Sequence, residues 1–142
     1  MTHYVVGFAF NEDGTSVVLI KKNKPAWQAG KFNGVGGKIE EGETPAEAMV
    51  REFKEETGVD TLEANWTHFS VLNGEDCSVN CFCTFDNASY NASSCTSEYV
   101  CVVRMDYIKE FPTIPNLAWL IPMALQTKTD PNFGFAGVRY LQ

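Results

Sequence analysis

The sequence predicts a layered α/β (α+β) domain, and three observations support that class. Short apolar or alternating segments, typical of β-strands, recur along the whole chain. Two other segments carry the residues that begin and end helices, and they lie between the strands. The 142 residues fit one domain, 1–142, with 44% apolar side chains to fill a core. Strands interrupted by two helices indicate a sheet packed against helices.

The first predicted elements form a hairpin. Strands are expected at 4–10 and 17–21, on either side of an Asn-Glu-Asp-Gly turn at 11–14. Residues 22–37 are rich in glycine and contain Pro25, so we expect an ordered loop there.

The clearest helix signal follows that loop. Thr44 can cap a helix, Pro45 suits its first position, and Glu47 completes a Thr-x-x-Glu capping box. Gly58 lies where a left-handed C-terminal residue is favoured. These signals predict a helix over 45–57.

The second half alternates again between strands and a helix. Strands are predicted at 66–72, 78–85 and 98–104, with a polar connection at 86–97. Asn116 can cap a second helix that runs to about residue 126, in which Pro122 removes one backbone hydrogen bond. The last predicted strand covers 135–140.

Charge and cysteine content exclude several classes of protein. The net charge of −7 argues against binding a nucleic acid polymer or an anionic membrane through positive charge alone. No apolar run approaches the roughly 20 residues that cross a bilayer, and no secretory signal is visible at the start. The five cysteines show no Cys-x-x-Cys spacing, so reduced thiols and a cytoplasmic location are expected.

The helix predicted at 45–57 has two distinct faces. Apolar residues at three- and four-residue spacing form a stripe directed to the core (Ala46, Met49, Val50 and Phe53). Glu52, Glu55 and Glu56 lie together on a neighbouring face. Three carboxylates on one turn repel one another. They indicate either a solvated acidic surface or a site for a hard divalent cation such as Mg²⁺ or Mn²⁺.

Two flanking features favour a cation site over a solvated acidic surface. Arg51 lies four residues before Glu55 and can brace the carboxylates from the side. The Gly36-Gly37 pair lets the backbone pass close to whatever the helix holds. Residues 37–59 contain seven acidic and three basic residues and so supply −4 of the net charge.

Together these residues form one pattern: Gly37-x5-Glu43-x7-Arg51-Glu52-Phe53-x-Glu55-Glu56-x-Gly58-Val59. The pattern resembles the signature of the Nudix hydrolases, except that Phe53 stands where the family usually has an aliphatic residue. The resemblance implies an α/β/α sandwich with a mixed β-sheet and a loop-helix-loop motif at 37–59. It also implies metal-dependent hydrolysis of a nucleoside diphosphate linked to another group.

The resemblance further implies individual roles. Arg51 and Glu43 would hold the loop and the helix in register by ion pairing, and either Glu52 or Glu56 would deprotonate the attacking water. The Mg²⁺ ligands, with Mn²⁺ as an alternative metal, would be the three helix carboxylates, the Gly37 carbonyl and an acid from a later segment (Gly37, Glu52, Glu55, Glu56 and Glu98).

Residues outside the motif suggest the substrate. The segment 27–38 resembles the corresponding loop of MutT-like purine nucleoside triphosphatases, in which Asn33 would contact the base and Trp27 would stack on it. Asn116 lies in a segment similar to their second base-contacting segment, where many relatives carry Asp. Lys38 could touch phosphate. The alternatives are that Trp27 serves packing, that Asn33 caps the glycine turn, and that Asn116 caps the second helix.

The expected function is therefore Mg²⁺-dependent hydrolysis of a (deoxy)nucleoside triphosphate to the monophosphate and pyrophosphate, with an oxidised purine as a candidate base. One alternative is hydrolysis of a nucleotide sugar, ADP-ribose or a dinucleotide. Another is a Nudix module that senses a nucleotide without hydrolysing it. The expected partner is a small nucleotide, and the expected assembly is a monomer or a homodimer.

Overall fold

The computed structural model describes residues 1–141, which form a mixed eight-stranded sheet between two α-helices. The helices are α1 (Pro45–Thr57) and α2 (Leu117–Thr129). Short 3₁₀ segments cover Glu63–Asn65, Asn87–Asn91 and Met105–Glu110. The strands are β1 (Thr2–Phe10), β2 (Ser16–Lys21), β3 (Phe32–Asn33), β4 (Val35–Lys38), β5 (Thr67–Asn73), β6 (Cys77–Phe85), β7 (Tyr99–Arg104) and β8 (Ala136–Arg139). The predicted α+β class with a mixed sheet is confirmed.

Long-range pairing around β1 organises the sheet. The strand order is β3-β2-β1-β6-β5-β8, with β4 paired to β1 and β7 paired to β2. β1 and β6 run parallel from Thr2↔Cys77 to Phe10↔Phe85. The predicted hairpin forms only at its turn, where Phe10 pairs with Val17. Beyond that point β4 takes the edge of β1, and β2 pairs with β7 instead.

The core consists of two layers, one on each face of the sheet. Alternate side chains of β1 enter opposite layers, as the pleat of a strand requires. Phe8 and Phe10 pack with α2 residues such as Leu120, whereas Val5 and Ala9 pack on the α1 side. The sheet therefore lies between the two helices, as in an α/β/α sandwich.

Helix α1 has the predicted bounds because both of its ends are capped. Thr44 Oγ1 accepts the Glu47 backbone N–H at 3.1 Å, and Glu47 Oε1 accepts the Thr44 N–H at 2.9 Å. At the other end Gly58 adopts a φ of 78°, and its N–H donates to the Lys54 carbonyl at 2.9 Å. The two caps therefore mark where the helix begins and ends.

Two predictions about the connecting segments were wrong. Residues 22–37, expected to be loop, contain β3 and most of β4, because neighbouring strands β2 and β1 supply hydrogen-bond partners that local sequence does not reveal. Asn116 precedes α2, but its side chain makes no capping hydrogen bond. Its amide donates instead to the Tyr140 hydroxyl at 3.2 Å. No helix within residues 1–141 is long and apolar enough to cross a membrane.

Phe53, the residue that departs from the family pattern, fills the layer beneath α1. Its side chain is 1% exposed and meets the Trp66 ring edge-on, with centroids 5.2 Å apart. We expect Phe53→Ala to lower the free energy of unfolding by about 3–5 kcal/mol, since the cavity would lie in a packed core. Phe53→Leu, with the usual aliphatic type, should cost roughly half as much. Urea unfolding measures both, and equal stabilities of F53A and the parent would contradict the packing role.

The thiols differ in burial and should therefore differ in reactivity. Burial raises the pKa of Cys81 to about 12 and that of Cys83 to about 11, whereas Cys95 is exposed. Because the thiolate is the reactive form, iodoacetamide at pH 8 should label Cys95 in the native protein and leave Cys81 and Cys83 unmodified until urea is added. Peptide mass spectrometry checks this order. Labelling of Cys81 as fast as Cys95 would contradict it.

Candidate active site

The Arg51 guanidinium connects helix α1 to the loop that precedes it. It donates to both carboxylate oxygens of Glu43, from Nε at 2.6 Å and from Nη2 at 2.8 Å. Nη2 also donates to the Lys38 carbonyl at 3.1 Å. This two-bond contact with Glu43 lowers the pKa of its carboxyl below the usual value. The loop and the helix are thus held in one register through charge-assisted hydrogen bonds.

The same guanidinium holds two of the three helix carboxylates. Its Nη1 lies 3.0 Å from Glu52 Oε1 and 3.3 Å from Glu55 Oε2. Glu52 is buried and Glu55 is exposed. Burial raises the pKa of the Glu52 carboxyl, and the hydrogen bond from Arg51 opposes that rise. Glu52 is therefore the carboxylate most dependent on its neighbours for charge compensation.

Glu56, the third helix carboxylate, has a different partner. Its Oε2 accepts a hydrogen bond from the Thr96 hydroxyl at 2.8 Å. Two of the three carboxylates thus share Arg51 and the third contacts Thr96. Residues 1–141 contain no group of three or more His, Cys, Asp or Glu side chains already arranged to hold a metal ion. The donor chemistry nevertheless suits a hard divalent cation, since carboxylate oxygens from one helical face are available together with a nearby backbone.

Two glycines bring the β4 backbone against that carboxylate face. A side-chain carbon at Gly36 would overlap the Val5 carbonyl of β1, so only glycine allows this strand pairing. A side-chain carbon at Gly37 would overlap the Glu52 carboxylate. The Gly37 backbone therefore lies directly beside Glu52, at the position where sequence analysis expected an additional metal ligand.

Glu98, the acid expected from a later segment, is buried and already hydrogen-bonded. Its Oε1 lies 3.2 Å from Lys22 Nζ, and its Oε2 accepts the Asn23 backbone N–H at 2.5 Å. In this structure the carboxylate holds the start of the segment 22–31. Its assignment as a metal ligand stays a prediction.

A cleft of about 370 Å³ opens beside the carboxylate face. Its walls come from β1, β6, the segment after β2 and the two glycines (among them Tyr4, Lys22, Trp27, Asn33, Gly36, Gly37 and Val79). Gly37 borders the cleft and also contacts Glu52. The cleft and the carboxylates therefore share one backbone wall, which is the geometry needed to hold one end of a ligand while the other end reaches the carboxylates.

Of the four residues expected to bind the nucleotide, two line the cleft and two lie outside its lining. Trp27, 61% exposed, and Asn33 both line the cleft. Asn33 Oδ1 accepts the Gly34 backbone N–H at 2.8 Å, which leaves its amide nitrogen as the donor, at 3.5 Å from Gln28 Oε1. Lys38 and Asn116 do not belong to the cleft lining. Asn116 lies beside Tyr140 instead.

Several residues of this site are not predicted from the sequence. Tyr4 and Val79 line the cleft because they are partners in the parallel β1–β6 pairing, which local patterns do not reveal. For Tyr4 a signal existed, since it alternates with the buried Val6 and Phe8 on one face of its strand. Lys22 and Thr96 carry no comparable local signal.

Comparison with known proteins gives a family match over most of the chain and partial matches to individual relatives. The sequence model of the NUDIX domain matches residues 1–106. A curated 8-oxo-dGTP diphosphatase from Escherichia coli K12 is 43% identical over 67 residues, which are 47% of this chain and 47% of that protein. An oxidized purine nucleoside triphosphate hydrolase from Mus musculus is 49% identical over 47 residues, 32% of this chain and 30% of that protein. The matches thus span about half, or less, of these relatives.

Solved structures share the fold at lower sequence identity. A structure from a study of MutT from Aliivibrio salmonicida and Vibrio cholerae has a TM-score of 0.73 at 22% identity, covering 88% of this chain and 98% of that chain. The NUDIX domain of Shewanella oneidensis NrtR, crystallised with ADP ribose, has a TM-score of 0.70 at 18% identity, covering 89% of this chain and 86% of that one. Since the family match extends over most of the 142 residues, the protein belongs to the NUDIX domain family.

Proposed function

We propose that residues 1–142 form one catalytic domain, a metal-dependent hydrolase that converts a (deoxy)nucleoside triphosphate to the monophosphate and pyrophosphate. An oxidised purine is the candidate base. The observation that carries the proposal is the shared wall at Gly37, which separates the cleft lined by Trp27 and Asn33 from the Glu52 carboxylate. The partial similarity to an 8-oxo-dGTP diphosphatase supports the same substrate class.

The metal in this proposal is Mg²⁺, with Mn²⁺ as an alternative. Its ligands would come from oxygen donors on α1, β4 and the segment before β7 (Gly37, Glu52, Glu55, Glu56 and Glu98). Because Arg51 holds Glu52 and Glu55 in the structure, these two side chains would have to turn to reach a shared cation. When bound, the ion supplies Lewis acidity and lowers the pKa of a coordinated water.

The protein's own residues then have separate tasks. The Asn33 amide nitrogen offers a donor to the base, and the exposed Trp27 ring offers a stacking surface at the cleft. Lys22 lines the cleft, and Lys38 follows Gly37 with its side chain in solvent, so both can approach phosphate. Arg51 keeps Glu52 in place, and Glu52 or Glu56 acts as the base that takes the proton from water.

The proposed partners follow from the size and charge of this site. A cleft of about 370 Å³ suits a small nucleotide, and the net charge of −7 disfavours a nucleic acid polymer. We propose action on free nucleotides in the cytoplasm by a monomer or homodimer.

A panel of nucleotides tests the substrate class directly. With Mg²⁺ present, purine triphosphates and their 8-oxo forms should yield the monophosphate and pyrophosphate, detected by ³¹P NMR, because the site combines a base cleft with carboxylates for a metal. EDTA should abolish turnover. Hydrolysis of ADP-ribose or a nucleotide sugar alone would contradict the triphosphate assignment. Tight nucleotide binding with no phosphorus product would instead favour a sensing module.

Removal of the Glu56 charge tests its chemical role. Glu56→Gln should fold with unchanged stability, since the side chain is only partly buried and its partner is one hydroxyl. Turnover should fall by about 100-fold or more, as expected when a general base or metal ligand is lost. Glu47→Gln is the matched control, because glutamine also completes a capping box. Turnover of E56Q within a few-fold of the parent would overturn the role.

Two substitutions at Asn33 separate base contact from turn capping. Asn33→Asp keeps an acceptor for the Gly34 N–H and loses the amide donor, whereas Asn33→Ala loses both. If the Asn33 amide donor contacts the base, both variants should raise KM by about tenfold and change kcat far less. The reason is that this contact binds the substrate and the transition state equally. Steady-state kinetics decides. A defect in N33A alone would assign the side chain to the turn and contradict the base contact.

A further inference from the structure

Thr96 connects the carboxylate face of α1 to the segment that borders the cleft. Its hydroxyl donates to Glu56 Oε2 at 2.8 Å, and Thr96 Oγ1 also accepts the Glu98 backbone N–H at 3.2 Å. The Glu98 carboxylate in turn accepts from Lys22 Nζ and from the Asn23 backbone. One continuous series of hydrogen bonds therefore runs from Glu56 to the segment that follows β2.

Two backbone hydrogen bonds also hold the segment just before Thr96. The Ser93 N–H donates to the Thr57 carbonyl at 3.1 Å, and the Cys95 N–H donates to the Glu56 carbonyl at 3.2 Å. Both acceptors lie at the C-terminal end of α1, where helix carbonyls lack partners within the helix. The segment is thus docked on Glu56, the residue whose carboxylate Thr96 contacts. These two backbone hydrogen bonds hold the loop in addition to the bond between the Thr96 hydroxyl and Glu56.

The Thr96 contact differs in kind from the contacts that Arg51 makes. Within residues 1–141, Arg51 forms ion pairs with Glu52 and Glu55, but its ion pairs do not include Glu56. A guanidinium directs a carboxylate and also offsets its charge, whereas a neutral hydroxyl directs it and leaves the charge in place. Glu56 is therefore oriented by a contact that brings no positive charge to its carboxylate.

We propose that Thr96 is a positioning residue: its hydroxyl fixes the direction of the Glu56 carboxylate for divalent-metal binding and for the reaction. This inference rests on the proposed function, because it assigns Glu56 to the metal site. Groups that orient metal ligands through hydrogen bonds typically contribute about 10–100-fold in metal affinity or activity. The competing explanation is that Thr96 only closes the loop, in which case its loss would change stability and leave metal affinity unchanged.

Direct metal binding provides the test. Metal-free protein is titrated with Mn²⁺, and free Mn²⁺ is measured by electron paramagnetic resonance, so no nucleotide is needed. Thr96→Val removes the hydroxyl at constant shape and should weaken Mn²⁺ binding by about tenfold. Thr96→Ser keeps the hydroxyl and should bind within about threefold of the parent. Thr67→Val, at an exposed position on β5, is the matched control and should bind as the parent does.

Kinetics and a double variant complete the test. With Mg²⁺ and the triphosphate substrate, T96V should lower kcat by about 10–100-fold and T96S should restore it. On an E56Q background, T96V should cause no further loss of Mn²⁺ affinity, because Thr96 acts through that carboxylate. An additive loss would overturn the inference. If T96V does not fold, Thr96→Ala removes the same hydroxyl from this exposed loop position and replaces it in each measurement.

The outcomes separate this inference from the function it rests on. A folded T96V protein that binds Mn²⁺ as tightly as the parent overturns the positioning role alone. A parent protein that binds no Mn²⁺ overturns the metal site and the positioning role together. A parent that binds Mn²⁺ but hydrolyses no triphosphate overturns the substrate assignment, while the comparison of T96V with T96S still decides the role of Thr96.

Discussion

The site depends on one cation, the Arg51 guanidinium, because it is bound at once to the loop before α1 and to the helix itself. The two-bond contact with Glu43 holds the loop, and the contact with Glu52 opposes the rise in the pKa of that carboxyl which burial causes. Removing one partner of a buried pair leaves the other uncompensated, which costs far more than an exposed pair contributes. Loss of Arg51 would therefore disturb the loop register and the charge compensation of Glu52 together.

The sheet determines where this charged group can act. At Gly36, β4 lies so close to β1 that a side-chain carbon would overlap the Val5 carbonyl. Gly37 then brings the β4 backbone against Glu52. The parallel β1–β6 pairing places Tyr4 beside Val79 and opens the cleft on the other side of the same glycines. The cleft and the Glu52 carboxylate are adjacent because the β4 backbone at Gly37 borders both of them.

Sequence could predict the parts of this structure that depend on local chemistry. The capping box at Thr44 and the left-handed Gly58 mark the two ends of α1, and each involves residues close to one another in sequence. The bounds of α1 and its carboxylate face were therefore predictable. β3 and β4 were not, because such short strands exist only through their pairing with β2 and β1.

Lys22 and Thr96 were missed for the same reason, since each contacts partners more than 30 residues away. Asn116 shows the converse: it carries a local capping signal, but Tyr140, distant in sequence, takes its side chain.

The charge balance around Arg51 bears on how an acidic protein could bind the anionic substrate of the proposed function. Four carboxylates lie within 4 Å of this one guanidinium (Glu40, Glu43, Glu52 and Glu55), and Glu56 meets a neutral hydroxyl. One positive charge cannot offset five negative ones, so the group attracts a further cation and repels phosphate. A divalent ion reverses that sign locally, and the fixed carboxylates of a metal site then favour a phosphate that shares the ion. In the proposed function the surplus of acid on α1 is thus the condition for nucleotide binding, because it selects for the complex of nucleotide with metal over the free nucleotide.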